Sequence, residues 1–191
     1  MKALVDEIFK HHLALVDRVG SVLTPKIVQV AEVLIQAIKS DRTVFWCGNG
    51  GSAADSQHLA AELVGRFQHD RPALASVALT TDTSILTSVG NDYGYEYIFS
   101  RQVDGLTRPG DVLVCISTSG NSPNVVAAAK SAKARSVATV ALCGSDGGAL
   151  APLCDQVLVV PDQDTARIQE MHMLIGHILC DLVERSVIAD R

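Results

Sequence analysis

The sequence has no block of basic residues: 16 Lys and Arg against 21 Asp and Glu leave a net charge of −5, and no stretch could neutralise a run of backbone phosphates. That argues against nucleic acid as a direct ligand. A single small phosphate is not excluded, because a few backbone N–H groups and hydroxyls can hold one without a basic surface. The five cysteines are odd in number, lack zinc-finger spacing and stand mostly in apolar runs such as Val112-Leu113-Val114-Cys115-Ile116. They read as reduced core thiols of a cytoplasmic protein. The N-terminal stretch is broken by charge and lacks the apolar centre and cleavage site of a signal peptide. No apolar run is expected to span a membrane. Nor is there an internal repeat, low-complexity segment or linker, so the 191 residues read as one domain over 1–191, with no membrane or nucleic-acid partner.

What is present is a regular alternation. Val5, Ile8, Phe9, Leu13, Val16 and Val19 recur at helical spacing up to about Leu23, and a second helix is expected to open at Pro25, a favoured first-turn residue. Thr43–Cys47, Leu74–Leu79, Asp111–Ser117, Val137–Leu142 and Gln156–Val160 read as buried strands. Helices are expected between them at Ser52–Phe67, Ser84–Val89, Tyr95–Leu106 and Ser122–Ala134, and a long one closes the chain from Asp164 to Val187. This βαβ rhythm predicts an α/β fold, with helices about a five-stranded parallel sheet. The last helix is apolar over more than one stripe, which suggests that it also packs against another subunit.

Two strand-to-helix turns carry the binding signal. Gly48-Asn49-Gly50-Gly51-Ser52 follows the first strand, with glycines that allow close approach of backbone N–H groups and Ser52 expected to cap the helix and donate to a phosphate. It is neither a Walker loop nor a dinucleotide fingerprint. Ser117-Thr118-Ser119-Gly120-Asn121-Ser122-Pro123 follows the third strand, and its surplus of hydroxyls at a helix N-terminus is better explained by an anion than by capping through Ser122 alone. Both lie at carboxyl ends of parallel strands, where open α/β sheets bind ligands. A third polar turn, Asn91-Asp92-Tyr93-Gly94-Tyr95, offers groups for sugar hydroxyls or is simply a turn with two packing tyrosines.

The ionisable candidates are few. His58 and Glu62, four apart on the helix after the first turn, share a face suited to acid/base work or metal binding. On the last helix Gln169 is two turns from His177 and can share a site with it, but His172 is equally close to Gln169 in projection. Spacing alone leaves the two histidines tied. His11, His12 and His69 stand among polar residues and read as solvated.

Taken together, Cys47-Gly48-Asn49-Gly50-Gly51-Ser52-Ala53-Ala54-Asp55, the His58 and Glu62 pair, Leu79-Thr80-Thr81-Asp82, Gly90-Asn91-Asp92-Tyr93-Gly94-Tyr95, Ile116-Ser117-Thr118-Ser119-Gly120-Asn121-Ser122 and Ala166-Arg167-Ile168-Gln169-Glu170 resemble the sugar isomerase (SIS) fold family along essentially the whole chain. The resemblance implies a three-layer αβα sandwich, with an N-terminal helical extension over residues 1–40 that packs on the domain and on neighbouring subunits of a homotetramer. It implies isomerisation of a phosphorylated seven-carbon sugar, sedoheptulose 7-phosphate, to D-glycero-D-manno-heptose 7-phosphate. Carried over, Asn49, Gly50, Gly51, Ser52, Glu62, Asn91, Asp92, Ser117, Thr118, Ser119, Ser122 and Gln169 would bind substrate. His58, Glu62, Gln169 and His177 would hold one zinc ion per subunit, with Glu62 and His177 as the catalytic base and acid. The resemblance thereby favours His177 over His172. Similar SIS-fold proteins serve as non-catalytic scaffolds for a replication initiator protein. They share Arg167–Leu174 but have no need of Gly51, Glu62 or His177, all present here.

Overall fold

The computed structural model describes residues 1–189. Five strands, β1 (Val44–Gly48), β2 (Ser76–Ala78), β3 (Val112–Ser117), β4 (Ala138–Gly144) and β5 (Gln156–Val160), form one parallel sheet in the order β2-β1-β3-β4-β5. The register pairs Val44 with Val112 and runs through Gly48 with Ile116, so β1 and β3 end level at the centre of the sheet. Chain order reverses between them, which makes their carboxyl ends the switch point where such sheets leave a crevice.

Alternation along the strands sorts the core into two layers. Val44, Trp46, Val112, Val114 and Ile116 face α1 (Lys2–Lys39), α2 (Gly51–Val64) and α6 (Thr165–Ala189). Phe45, Cys47, Leu113 and Cys115 face the other way, against Ile98, Phe99 and Val103 near α4 (Ser100–Leu106) and Val125, Ala128 and Ala132 of α5 (Pro123–Ala134). The short α3 (Thr83–Asp92) is capped by Asp82, whose carboxylate accepts from the Ile85 N–H at 2.9 Å. The result is the expected αβα sandwich. All five cysteines are free, four of them buried, and the Cys47 and Cys115 sulfurs lie 3.9 Å apart.

The N-terminal region corrects the expectation of two helices: α1 is a single helix that continues through Pro25. Leu15, Val19, Leu23, Ile27, Val30, Ala31 and Leu34 keep one buried face across the proline, so packing on the body of the protein outweighs one missing N–H donor. α1 is also long and apolar enough, by length and composition alone, to cross a membrane, which the sequence reading did not expect, but its face from Leu15 to Ala37 is buried against the body of the protein. The region expected as a helix over Tyr95–Leu106 is instead a 3₁₀ turn at Tyr95–Tyr97 followed by α4.

The histidines expected to be solvated are paired. His11 meets Asp162 and His12 meets Glu170, each at 2.7 Å, linking α1 to the start of α6, and His69 lies 3.2 Å from Glu184. Residues distant in sequence supply each partner, which is why local composition misread them.

Candidate active site

The turn after β1 is built on glycine. Gly50 takes a φ of +54° and is the N-cap of α2, so the helix begins one residue earlier than expected and Ser52 sits inside its first turn, buried, instead of capping it. At Gly48 a Cβ would lie 2.9 Å from the Ile116 carbonyl, so only glycine lets β1 pass this close to β3. At Gly51 a Cβ would collide with the Gln169 amide. Asn49 is fixed by its side chain: it exchanges two 2.8 Å hydrogen bonds with Asn124 and accepts a third from the Tyr95 hydroxyl at 3.1 Å.

The turn after β3 lies beside it. Ser122 occupies the N-cap position of α5 without a capping bond, and its hydroxyl lies 3.0 Å from that of Ser117. Gly120 has a φ of +66°, and Asn121 braces the loop by donating to the Ser119 carbonyl and accepting from the Ala149 N–H, each at 2.9 Å. Ser117, Thr118, Ser119 and Ser122 thus ring a helix N-terminus, an arrangement that suits a phosphate. A hollow of about 320 Å³ lined by Asn49, Tyr95, Glu96, Ser122, Pro123 and Asn124 opens between the two turns. A larger hollow, about 660 Å³, lies at the amino ends of the strands among Gln36, Arg42 and Gly110, away from all these groups. Asn91 and Asp92 sit in the last turn of α3, where the Asn91 amide donates to Asp92 at 2.8 Å, both exposed.

Above the first turn, α2 presents Asp55, His58 and Glu62 at helical spacing, and α6 crosses it with Gln169 and His177. The Nε2 atoms of His58 and His177 are 3.0 Å apart, and Glu62 Oε1 is 3.3 Å from His58 Nε2. These three side chains offer donor atoms all within 4.8 Å of one another. Two imidazoles and a carboxylate are the donor set zinc takes, so the residues fit the metal that the resemblance implies. Gln169 lies over Gly51 and donates Nε2 to Asp55 Oδ1 at 3.1 Å.

The structure separates the tied histidines. His172 is fully buried, with Nε2 3.2 Å from the Cys143 carbonyl, and burial lowers its pKa to about 4. It turns toward β4, while His177 turns toward α2. Sequence reasoning assigned no role to four residues that shape the site. Asp55, buried and with Oδ2 lacking a partner, has its pKa raised by burial, against the pull of Gln169 and His58. Its signal was visible, since it falls three and seven residues before His58 and Glu62 on one helical face. Asn124, Phe67 and Glu184 carried no comparable local signal.

The SIS domain pattern matches residues 8–144. The chain is 52% identical over 184 residues to a phosphoheptose isomerase of Helicobacter hepaticus, covering 96% of this chain and 93% of that one. It is similar in structure to a phosphoheptose isomerase from Neisseria gonorrhoeae, with a TM-score of 0.92 at 46% identity over 96% of this chain and 98% of the other. A phosphoheptose isomerase from Francisella tularensis superposes with a TM-score of 0.93 at 36% identity, covering 97% of this chain and 100% of the other.

Proposed function

We propose that this chain, which belongs to the SIS domain family and within it to the phosphoheptose isomerases, interconverts sedoheptulose 7-phosphate and D-glycero-D-manno-heptose 7-phosphate, the first step of heptose biosynthesis for the cell envelope. The observation that carries the reading is the meeting of Glu62, His58 and His177 beside the two hydroxyl- and glycine-rich turns at the centre of the sheet. Among the described residues, no feature favours the non-catalytic scaffold over catalysis.

In this reading the phosphate rests on Ser117, Thr118, Ser119 and Ser122 at the N-terminus of α5, with the α2 N-terminus at Gly50, Gly51 and Ser52 close by. Asn91 and Asp92 serve sugar hydroxyls. The sugar then extends from the phosphate toward α2 and α6. Glu62 removes a proton from C1 of the open-chain ketose as the C2 carbonyl oxygen gains one, giving an enediol. Return of a proton to C2, with loss of the O1 proton, yields the aldose. His177 is the acid and base for the oxygens. Gln169, held by Asp55, presents its amide to the sugar or the metal.

His58, Glu62, Gln169 and His177 would hold one zinc ion per subunit, which when bound supplies Lewis-acid polarisation of the sugar oxygens or braces the site. Before Leu15 no residue of α1 is buried, and Leu4, Val5, Ile8, Phe9 and Leu13 are exposed. Five apolar side chains on one helix support a homotetramer in which this segment packs on neighbouring subunits. A cytoplasmic location suits a phosphorylated substrate and free thiols.

The test is turnover of sedoheptulose 7-phosphate by the purified protein, before and after chelation and with zinc restored. Turnover of the heptose phosphate is expected, with loss on chelation and return with zinc. No turnover in any condition would overturn the isomerase reading, and full turnover after complete metal removal would remove zinc from it.

A further inference from the structure

After α2 the chain runs Gly65-Arg66-Phe67-Gln68-His69-Asp70 without regular structure, yet it lies against α6. Its backbone N–H groups need acceptors there. Glu184 provides them. Seven residues after His177 on α6 and fully buried, its carboxylate accepts from the N–H groups of Phe67, Gln68 and His69 at 2.9, 2.8 and 2.9 Å. Arg71, its side chain also buried, sets its Nε 3.2 Å from the same carboxylate and donates to the carbonyls of Glu62 and Leu63 at 2.8 Å each. The loop is thereby bound both to α6 below His177 and to the end of α2 at Glu62.

The side chain that this clamp presents is Phe67. Its ring stacks on the His177 imidazole, with centroids 5.6 Å apart and planes at 28°. His58 meets the same imidazole edge-on at 5.2 Å and 70°. His177 is thus confined by a phenyl face and by a second imidazole, while its Nε2 is left toward His58 and Glu62. A helical histidine that is partly exposed has several rotamers open to it, and a flat ring stacked against it narrows the alternatives.

We propose that Phe67, held in place by the Glu184 carboxylate, is a positioning residue that fixes the His177 imidazole in its working orientation. The proposal rests on His177 acting in the isomerase site. Phe67 also packs on the core, so the test must separate shape from stability. Phe67→Leu and Phe67→Met keep apolar bulk and lose the flat face, whereas Phe67→Tyr keeps the ring.

For either ringless variant, kcat with sedoheptulose 7-phosphate is expected to fall about tenfold or more through misplacement of a catalytic group. KM should stay within about twofold, because the phosphate turns are untouched. Phe67→Tyr should restore kcat. In imidazole ¹H–¹⁵N spectra the His177 ring protons should move downfield when the phenyl shielding is lost and return in Phe67→Tyr. Wild-type kcat in a folded ringless variant, a loss that Phe67→Tyr does not rescue, or unmoved His177 resonances would overturn the proposal. His177→Gln measured alongside separates the two claims: if it is inactive while Phe67→Leu turns over normally, only the positioning role fails, and if it is fully active, the reading of His177 fails first.

Discussion

The side-chain amides of Asn49 and Asn124 exchange two hydrogen bonds of 2.8 Å, tying the turn after β1 to the turn after β3 across the centre of the sheet. Asn124 is buried, and its Oδ1 also accepts from the Val125 N–H at 3.0 Å. The bridge and the Tyr95 hydroxyl together take up both acceptor positions and one of the two N–H donors of the Asn49 amide, so in the proposed reading the substrate is left chiefly with the backbone of this turn.

Asn124→Ala should therefore loosen both turns together. The expected result is a rise in KM of about tenfold, on the scale of one or two net hydrogen bonds, with a much smaller change in kcat. Steady-state kinetics check the split. An unchanged KM would show that the turns hold their shape without the bridge.

Glu62→Gln and His177→Gln should fold with circular dichroism and oligomeric state like the parent, since neither side chain is buried in the core. In the proposed mechanism each removes a proton-transfer group, and each should lower kcat by about 10² or more. Near-normal turnover by purified Glu62→Gln would sink the assignment of the base.

Gly51→Ala places a methyl group where the Gln169 amide lies. The amide is the far end of a flexible side chain and can yield, so the unfolding midpoint should change little. Activity should fall between about 10- and 100-fold as Gln169 is displaced from Asp55. In the Gly51→Ala, Gln169→Ala double variant the losses should be less than multiplicative, because both changes act on one group. Purely multiplicative losses would separate Gly51 from Gln169.

The acid response follows from two buried groups. His172 is neutral in the fold, with its pKa lowered to about 4 by burial. The unfolded chain binds that proton more readily, so the stability it contributes is complete above about pH 6.5 and declines as pH falls toward 4, by at most roughly 3 kcal/mol. Glu184 acts lower on the scale. Burial works against its charge, but the N–H groups of Gln68, Phe67 and His69 bring its pKa down to about 2. Its contribution is present above about pH 4.5 and is lost as pH falls toward 2. Unfolding midpoints measured from pH 7.5 to 3 should decline in the wild type from about 6.5 downward, and His172→Leu should be flatter between 6.5 and 4.5. Parallel curves would remove His172 as a cause.

Strand runs such as Val112–Ser117, the long apolar pattern of α6 and the two turns at Gly48–Ser52 and Ser117–Ser122 were legible because each depends on neighbours within a few residues. The same locality explains the misreadings. Pro25 carries a helix-start signal, yet α1 passes through it, because the inward face from Leu15 to Leu34 is decided by the sheet and α6. Ser52 and Ser122 have capping chemistry, yet Gly50 begins one helix and Ser122 turns to Ser117.

The sequence by itself determined the parallel α/β architecture, the two glycine- and hydroxyl-rich turns and the His58 and Glu62 face of α2, since periodicity and turn chemistry are local properties. Only the tertiary structure decided which histidine of α6 meets that face. A helix apolar around much of its circumference can be docked in more than one rotation, and its contacts with α1, α2 and β4 choose the one that buries His172 against Cys143 and brings His177 to Glu62. The same docking set Glu184 beneath the loop that carries Phe67, a relation between residues 117 positions apart that no local pattern encodes.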